Sequence, residues 1–125
     1  MYAPRRSKQG QSFGQERKNV WLVNTGWTGG PYGVGERIKL PYTRAMVSAV
    51  LNGELNNVPY RTDPAFGLHV PENCPGVPDE VLDPRKTWSD PTAYDQQAQA
   101  LVTRFRENFA DFSGDMTKKI RDAGP

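Results

Sequence analysis

The 125-residue chain contains one cysteine, Cys74, and one histidine, His69. A single cysteine excludes an intrachain disulfide, and one cysteine with one histidine cannot assemble a zinc site from nitrogen and sulfur ligands. We expect His69 to be structural or solvated. A cysteine nucleophile needs an activating base, and none lies near Cys74 in the sequence, so a small buried or loop residue is expected there. The sequence therefore yields no catalytic residue and no metal ligand.

Large apolar residues are also scarce. Leu, Ile, Val and Phe together make up under a fifth of the chain, against 12 glycines and 11 prolines, which predicts a thin core with much loop. No apolar run approaches the roughly 20 residues that span a bilayer, and the N-terminus lacks the apolar centre of a secretion signal. We expect a cytoplasmic protein without membrane association.

Positive charge is missing from the body of the chain. The net charge is +2, but residues 1–20 alone carry +4, so the remainder carries −2. The body offers no basic face to nucleic acid, and we do not expect it to bind any. Residues 1–18 show no apolar periodicity and are interpreted as a basic, disordered leader, with residues 19–125 forming the folded part.

Apolar patterning in the folded part indicates an α/β protein with a few short strands and two main helices joined by long Pro/Gly-rich loops. The run "NVWLVNT" at 19–25 predicts a buried strand, and 37–40 a short second one. The first helix is predicted over 43–53, ended by Asn52-Gly53. The proline-rich stretch 71–85 is either an ordered wrap or a linker.

The second helix is predicted over 91–112. Asp90 is placed to cap it, Pro91 occupies its first turn, and Gly114 follows its end. Its apolar residues recur at spacings of three and four, which predicts one apolar stripe: Tyr94, Ala98, Leu101, Phe105, Phe109 and Phe112.

A glycine-rich loop, "TGWTGGPYGVGERI", occupies residues 25–38. Gly30 and Gly35 have the spacing of a phosphate-binding loop, but Glu36-Arg37 stand where such a loop has lysine and Ser/Thr. A carboxylate there would face the triphosphate, so we reject that assignment. The residues alone leave two interpretations open. Either the glycines let the backbone approach a nucleotide on which Arg37 stacks, or the loop is a tight turn whose aromatic residues pack together.

The string "VWLVNTGWTGGPYGVGERIKLPYTRAMVSAVLNGEL", with "CPGVP" and "LDPR" after it, closely resembles the C-terminal part of ATP-dependent phosphoenolpyruvate carboxykinase. The resemblance covers about residues 19–112. It implies a fragment of the nucleotide-binding lobe of a two-lobed α/β enzyme. That enzyme acts in the cytoplasm in gluconeogenesis, converting oxaloacetate and ATP to phosphoenolpyruvate, ADP and CO₂ with Mg²⁺ and usually Mn²⁺.

The resemblance also implies which residues meet the nucleotide: Arg37, Ile38 and Thr43 would contact the adenine side of ATP. For Thr43 the residues alone favour another role, the N-cap of the first helix. Glu36 departs from the family, which commonly has lysine at that position.

The family's phosphate-binding loop, metal ligands and oxaloacetate site have no counterpart in the chain. We therefore expect an inactive fragment, truncated or frameshifted, that associates with itself or with the rest of the enzyme. The alternative is a non-catalytic module for protein interaction or weak nucleotide binding.

Overall fold

The computed structural model describes residues 20–112, 114, 118–122 and 124–125. The leader expected at 1–18 lies outside these residues. Two antiparallel hairpins and two main helices make up the described part, which confirms the predicted α/β class. In chain order the elements are β1 (Trp27–Thr28), β2 (Glu36–Arg37), α1 (Leu40–Leu51), β3 (Tyr60–Thr62), β4 (His69–Pro71), a 3-10 turn (Asp79–Leu82), α2 (Pro84–Thr87), α3 (Pro91–Ala110) and α4 (Lys118–Arg121).

The apolar run before the glycine loop is not the buried strand that its composition predicts. Residues 20–25 contain only a single bridge residue, Leu22, and no longer strand. Val20 and Leu22 are 62% and 56% exposed, whereas Trp21 and Val23 pack against the core. A strand is buried on both faces only when layers cover both, and here the described residues cover one face. The predicted burial of 20–25 is wrong for that reason.

The first helix begins three residues earlier than predicted, at Leu40, and strand β2 ends at Arg37. Pro41 lies in the first turn, where N–H groups have no acceptor within the helix, so its lack of an N–H costs no helical hydrogen bond. The cap position therefore falls on Lys39, and Thr43 is inside the helix. The prediction that Thr43 caps the helix is wrong.

The end of α1 follows the predicted signal at Asn52-Gly53. Gly53 adopts a left-handed conformation with φ of +71°. Its N–H donates to the carbonyl of Val50 at 3.2 Å, and the next N–H, of Glu54, donates to Ala49 at 3.0 Å. These two bonds satisfy carbonyls that the helix end would otherwise leave unpaired.

The core is small and lies between α1 and the proline-rich segment 71–85. Met46 and Ala49 of α1 and Leu55 are buried with three residues of that segment, Cys74, Val77 and Leu82. The segment is thus an ordered wrap. Cys74 is 5% exposed, which confirms the expected buried residue, and burial raises the pKa of its thiol.

Helix α3 has the predicted cap and a shorter end. The Asp90 carboxylate accepts a hydrogen bond from the N–H of Thr92 at 2.9 Å, and the helix ends at Ala110. Its most buried residue is Val102, at 3% exposure, whereas Leu101, Phe105 and Phe112 are 42%, 52% and 64% exposed. Three residues of the predicted apolar stripe are thus exposed, with Phe112 beyond the helix end, and the other three, Tyr94, Ala98 and Phe109, are half-buried.

Candidate functional site

The glycine-rich loop forms a short antiparallel hairpin, here called the glycine hairpin (residues 27–37). Trp27 pairs with Arg37 and Thr28 with Glu36. Beyond the strands the turn closes on one carbonyl, that of Pro31, which accepts hydrogen bonds from the N–H groups of Val34 at 3.0 Å and of Gly35 at 2.9 Å. These N–H groups are satisfied within the hairpin. They do not form the open set of donors with which a phosphate cradle binds its ligand, which supports the rejection of a phosphate-binding loop.

The glycines are needed for the turn itself. Gly29, Gly30 and Gly33 have φ of +80°, +153° and +89°, which residues with a Cβ rarely adopt. A Cβ on Gly35 would lie 2.6 Å from the carbonyl oxygens of Gly30 and Thr28. The tight-turn interpretation therefore explains the glycine content without a ligand.

Arg37 and Glu36 point to opposite faces of the glycine hairpin, because neighbouring residues of a strand alternate and cross-strand partners share a face. Arg37 shares its face with Trp27, whose ring packs edge-on against Tyr32 with centroids 5.6 Å apart. Arg37 is exposed and makes no ion pair with any described residue. The hairpin thus presents an exposed Arg37 on the face of its cross-strand partner Trp27, and Glu36 lies on the other face.

The other two residues implied by the resemblance follow at the start of α1. Ile38 is half-buried, and its N–H donates to the carbonyl of Gly26 at 2.8 Å. Thr43 is half-buried in the first turn of the helix, where its N–H donates to Lys39 at 3.3 Å. Its hydroxyl makes no hydrogen bond to the residues described. Arg37, Ile38 and Thr43 therefore gather at the N-terminal end of α1.

A cleft of about 270 Å³ is lined by residues of the glycine hairpin, α1, α2 and α3. Of the three residues, Ile38 lines it, and Arg37 and Thr43 do not. Its walls are mainly apolar and aromatic: Trp27, Ile38, Met46, Trp88, Tyr94 and Leu101. Burial is the main cause of a raised pKa for the Tyr94 hydroxyl. The sequence gives no signal that joins Trp88 and Tyr94 to the glycine loop, because both lie at least 50 positions after it.

Thr87, which the sequence analysis missed, connects the hairpin to α2. Its hydroxyl accepts hydrogen bonds from the N–H of Gly29 and from the Thr28 hydroxyl, each at 3.2 Å. The same hydroxyl donates to the carbonyl of Pro84 at 2.7 Å. One side chain thus holds two residues of the hairpin against the short helix α2.

Ion pairs join α2 to its neighbours on the other side. Arg85 binds both oxygens of Asp95 on α3, at 2.8 and 3.0 Å, and this contact holds the pKa of the Asp95 carboxyl below its ordinary value. Asp83 pairs with Arg61 at 3.3 Å and with Lys86 at 3.7 Å. These carboxylates serve as structural partners of cations. Within residues 20–112 and the described parts of the C-terminus, no three His, Cys, Asp or Glu side chains cluster as metal ligands would.

No helix in the described part of the chain has the length and apolar content to cross a membrane.

Comparison with known proteins gives a family for the chain. The profile of phosphoenolpyruvate carboxykinase matches residues 7–80, and so begins within the stretch 1–18 that we interpreted as a leader. Over 116 residues the chain is 54% identical to phosphoenolpyruvate carboxykinase (ATP) of Thermus thermophilus, covering 93% of this chain and 22% of that protein.

Two further relatives agree. Phosphoenolpyruvate carboxykinase (ATP) 1 of Moorella thermoacetica is 55% identical over 115 residues, covering 92% of this chain and 22% of the relative. The Geobacillus kaustophilus protein of the same name is 57% identical over 104 residues, covering 83% and 20%. The chain spans about a fifth of the length of these relatives. It belongs to the ATP-dependent phosphoenolpyruvate carboxykinase family.

Proposed function

We propose that this chain supplies the adenine side of the ATP site of a phosphoenolpyruvate carboxykinase, through Arg37, Ile38 and Thr43. The observation that carries the proposal is the placement of Arg37. Its guanidinium is exposed, has no ion-pair partner among the described residues, and shares a face with Trp27. An arginine in such a position can lay its plane on a purine ring.

The two neighbouring residues fit complementary roles. Ile38, which lines the cleft, gives the purine an apolar contact, and the Thr43 hydroxyl can donate to or accept from a ring nitrogen or a ribose hydroxyl. Glu36 faces away from Arg37, so its carboxylate does not neutralise the guanidinium. The hairpin N–H groups of Val34 and Gly35 are already bonded to Pro31 and are not free to donate to the phosphates of ATP.

We propose that the complete enzyme, in the cytoplasm, converts oxaloacetate and ATP to phosphoenolpyruvate, ADP and CO₂ in gluconeogenesis. Mg²⁺ and Mn²⁺ would serve that reaction, but the described residues offer no ligand cluster that fits them. Transfer of a phosphoryl group depends on metal and on positive charge placed at the phosphates. We therefore expect the 125-residue chain supplied alone to form no ADP above a buffer control when given oxaloacetate and ATP. Oxaloacetate-dependent ADP formation that survives repurification would contradict this.

Nucleotide binding is tested by titrating the ¹⁵N-labelled chain with adenosine and with ATP. We expect shifts at the amides of Arg37, Ile38 and Thr43, and a Kd for ATP weaker than about 1 mM, which corresponds to roughly −4 kcal/mol. Adenosine should bind no worse than ATP, since the hairpin offers the phosphates no favourable contact. Arg37→Ala should abolish the shifts. Arg104→Ala, which removes an exposed arginine from α3, is the matched control.

Micromolar binding of ATP that adenosine cannot match would reveal a phosphate site and contradict the assignment. Absence of any shift at the three amides with either ligand would reject nucleotide contact by this segment.

A second candidate function, a non-catalytic protein-interaction module, is supported by the exposed apolar side chains of Leu101, Phe105 and Phe112. Large apolar patches on a surface mark contact with other protein. In this reading the chain associates with itself or with the rest of a carboxykinase, and nucleotide binding is incidental.

A further inference from the structure

The glycine hairpin is held from outside by the Thr87 hydroxyl. That hydroxyl receives hydrogen bonds from the Thr28 hydroxyl and from the N–H of Gly29, both at 3.2 Å, and anchors itself on the Pro84 carbonyl at 2.7 Å. All three bonds are part-buried. Because the Thr87 hydrogen is given to Pro84, its oxygen is left to accept, and both hairpin donors use it.

The backbone of Gly29 is shaped for this contact. Its φ of +80° is a left-handed conformation, and a Cβ at this position would lie 3.4 Å from the carbonyl oxygen of Thr87. The glycine therefore brings its N–H to the hydroxyl in a conformation that other residues rarely adopt. The left-handed conformation of Gly29 and the hydroxyl of Thr87 are thus complementary.

Helix α2, which carries Thr87, is itself fixed to the longest helix. Arg85 binds Asp95 on α3 through two hydrogen bonds, at 2.8 and 3.0 Å, and the Trp88 ring packs edge-on against Tyr94 at 5.6 Å. The four-residue helix α2 thus connects the glycine hairpin to α3 and determines their relative position. Thr87 is the hydrogen-bonded link between that helix and the hairpin.

We propose that Thr87 is a positioning residue for nucleotide binding: its hydroxyl sets the orientation of the glycine hairpin, and thereby places Arg37 and Ile38 against the purine. The inference rests on the proposed function, in that Arg37 and Ile38 must contact the nucleotide. Thr87 lines the same cleft as Ile38, but its hydroxyl is already engaged by Thr28, Gly29 and Pro84. It acts through Thr28 and Gly29, which lie on β1 and directly after it, and β1 pairs with the strand that ends at Arg37.

The test compares three variants of the full chain. Thr87→Val keeps the shape of the side chain and removes the hydroxyl, and Thr87→Ser restores it. Thr103→Val is the matched control, because Thr103 also donates its hydroxyl to a backbone carbonyl, that of Gln99 at 3.0 Å, but on the exposed side of α3. Each protein is measured for hydrogen exchange at the Gly29 amide, for adenosine-induced shifts at Arg37 and Ile38, and for its urea unfolding midpoint.

We expect Thr87→Val to speed exchange of the Gly29 amide about tenfold, the factor that corresponds to one lost hydrogen bond. Adenosine affinity at Arg37 and Ile38 should fall by about the same factor, while Thr87→Ser and Thr103→Val stay at the wild-type values. An affinity lost by Thr87→Val and restored by Thr87→Ser, without a matching shift of the urea midpoint, separates positioning from general stability.

If the Gly29 amide exchanged at the same rate in Thr87→Val as in the wild type, the claim that the Thr87 hydroxyl holds the hairpin would be wrong. Faster exchange with unchanged adenosine binding would overturn the positioning role and leave the proposed function intact. If the wild-type chain shows no adenosine shift at Arg37 or Ile38, the proposed function fails, and the positioning role fails with it. Exchange of the Gly29 amide then still tests separately whether Thr87 holds the hairpin.

Discussion

Gly30 and Gly35 meet backbone to backbone within the glycine hairpin: a Cβ on Gly35 would lie 2.6 Å from the carbonyl oxygen of Gly30. Two backbone segments can approach this closely only where the Cβ is missing. This close approach lies in the turn that joins β1 to β2, the strands in which Trp27 pairs with Arg37. A single methyl group at position 35 should therefore disturb the whole hairpin.

Gly35→Ala should destabilise the protein by about 1–3 kcal/mol, because backbone carbonyls on both sides of the new methyl group must move. The urea unfolding midpoint measures the loss, and amide exchange in residues 27–37 shows whether the hairpin opens locally instead. Gly114→Ala is the control, since a Cβ there meets nothing within 4 Å. Equal midpoints and equal hairpin exchange for the two variants would contradict the predicted clash.

Asp90→Ala should weaken α3 by about 1 kcal/mol, because the N–H of Thr92 loses the carboxylate that accepts from it at 2.9 Å. Urea denaturation followed by circular dichroism measures the change in stability and in helix content. Asp90→Asn keeps an accepting oxygen at the cap and should stay close to the wild type. If the alanine and asparagine variants were equally stable, the cap would have no energetic role.

The Asp95 carboxyl should titrate below its ordinary pKa of about 3.9, because Arg85 donates two hydrogen bonds to it. A carboxyl group whose pKa is lower in the folded than in the unfolded state stabilises the fold at pH values above its unfolded pKa. That contribution is lost as the pH falls through the folded pKa. The pair is exposed, so its effect on stability is small and decreases with added salt.

NMR titration of the Asp95 side-chain carbonyl carbon tests this directly. Arg85→Gln should return the pKa towards its ordinary value, whereas Lys86→Gln should leave it unchanged, because Lys86 pairs with Asp83 instead. A titration curve that Arg85→Gln does not move would contradict the assigned cause.

The chain should self-associate through the exposed apolar side chains on α3 and just beyond its end. Leu101, Phe105 and Phe112 are 42%, 52% and 64% exposed, which leaves apolar area that water disfavours. Sedimentation should show oligomers, and a dye for apolar surface should bind. Replacing Phe105 and Phe112 together by serine should reduce both signals. Val102→Ala should reduce neither, while lowering stability, because Val102 is 3% exposed. A monomer with a sharp cooperative melt would count against association.

Local signals in the sequence predicted the local structure well. The stop at Gly53, the cap at Asp90 and both main helices were predictable because each depends on residues within a few positions. The prediction places the start of α1 three residues too late, because Pro41 occupies the first turn, a position that proline favours. Burial of 20–25 was not predictable, since it depends on which layers cover that segment.

The candidate site was only partly accessible from sequence. The residue types of the glycine loop left a tight turn and a nucleotide contact equally open, and the structure explains the glycines by the turn. Assignment of Arg37, Ile38 and Thr43 came from the family resemblance, and their contact with nucleotide stays a prediction. Thr87 could not be found, because its bond to Gly29 spans 58 residues and no periodicity connects such distant positions.

That separation also sets the order in which the protein can be completed during synthesis. Gly29 leaves the ribosome 58 residues before Thr87. Until α2 has been made, the hydrogen-bonding groups of the emerging hairpin can bond only to each other and to water. Closing a loop of this length costs more entropy than closing a turn of a few residues, so we expect docking to follow formation of the hairpin turn. A nascent chain stalled before Thr87 would carry an undocked hairpin, and its exposed backbone would be open to proteases.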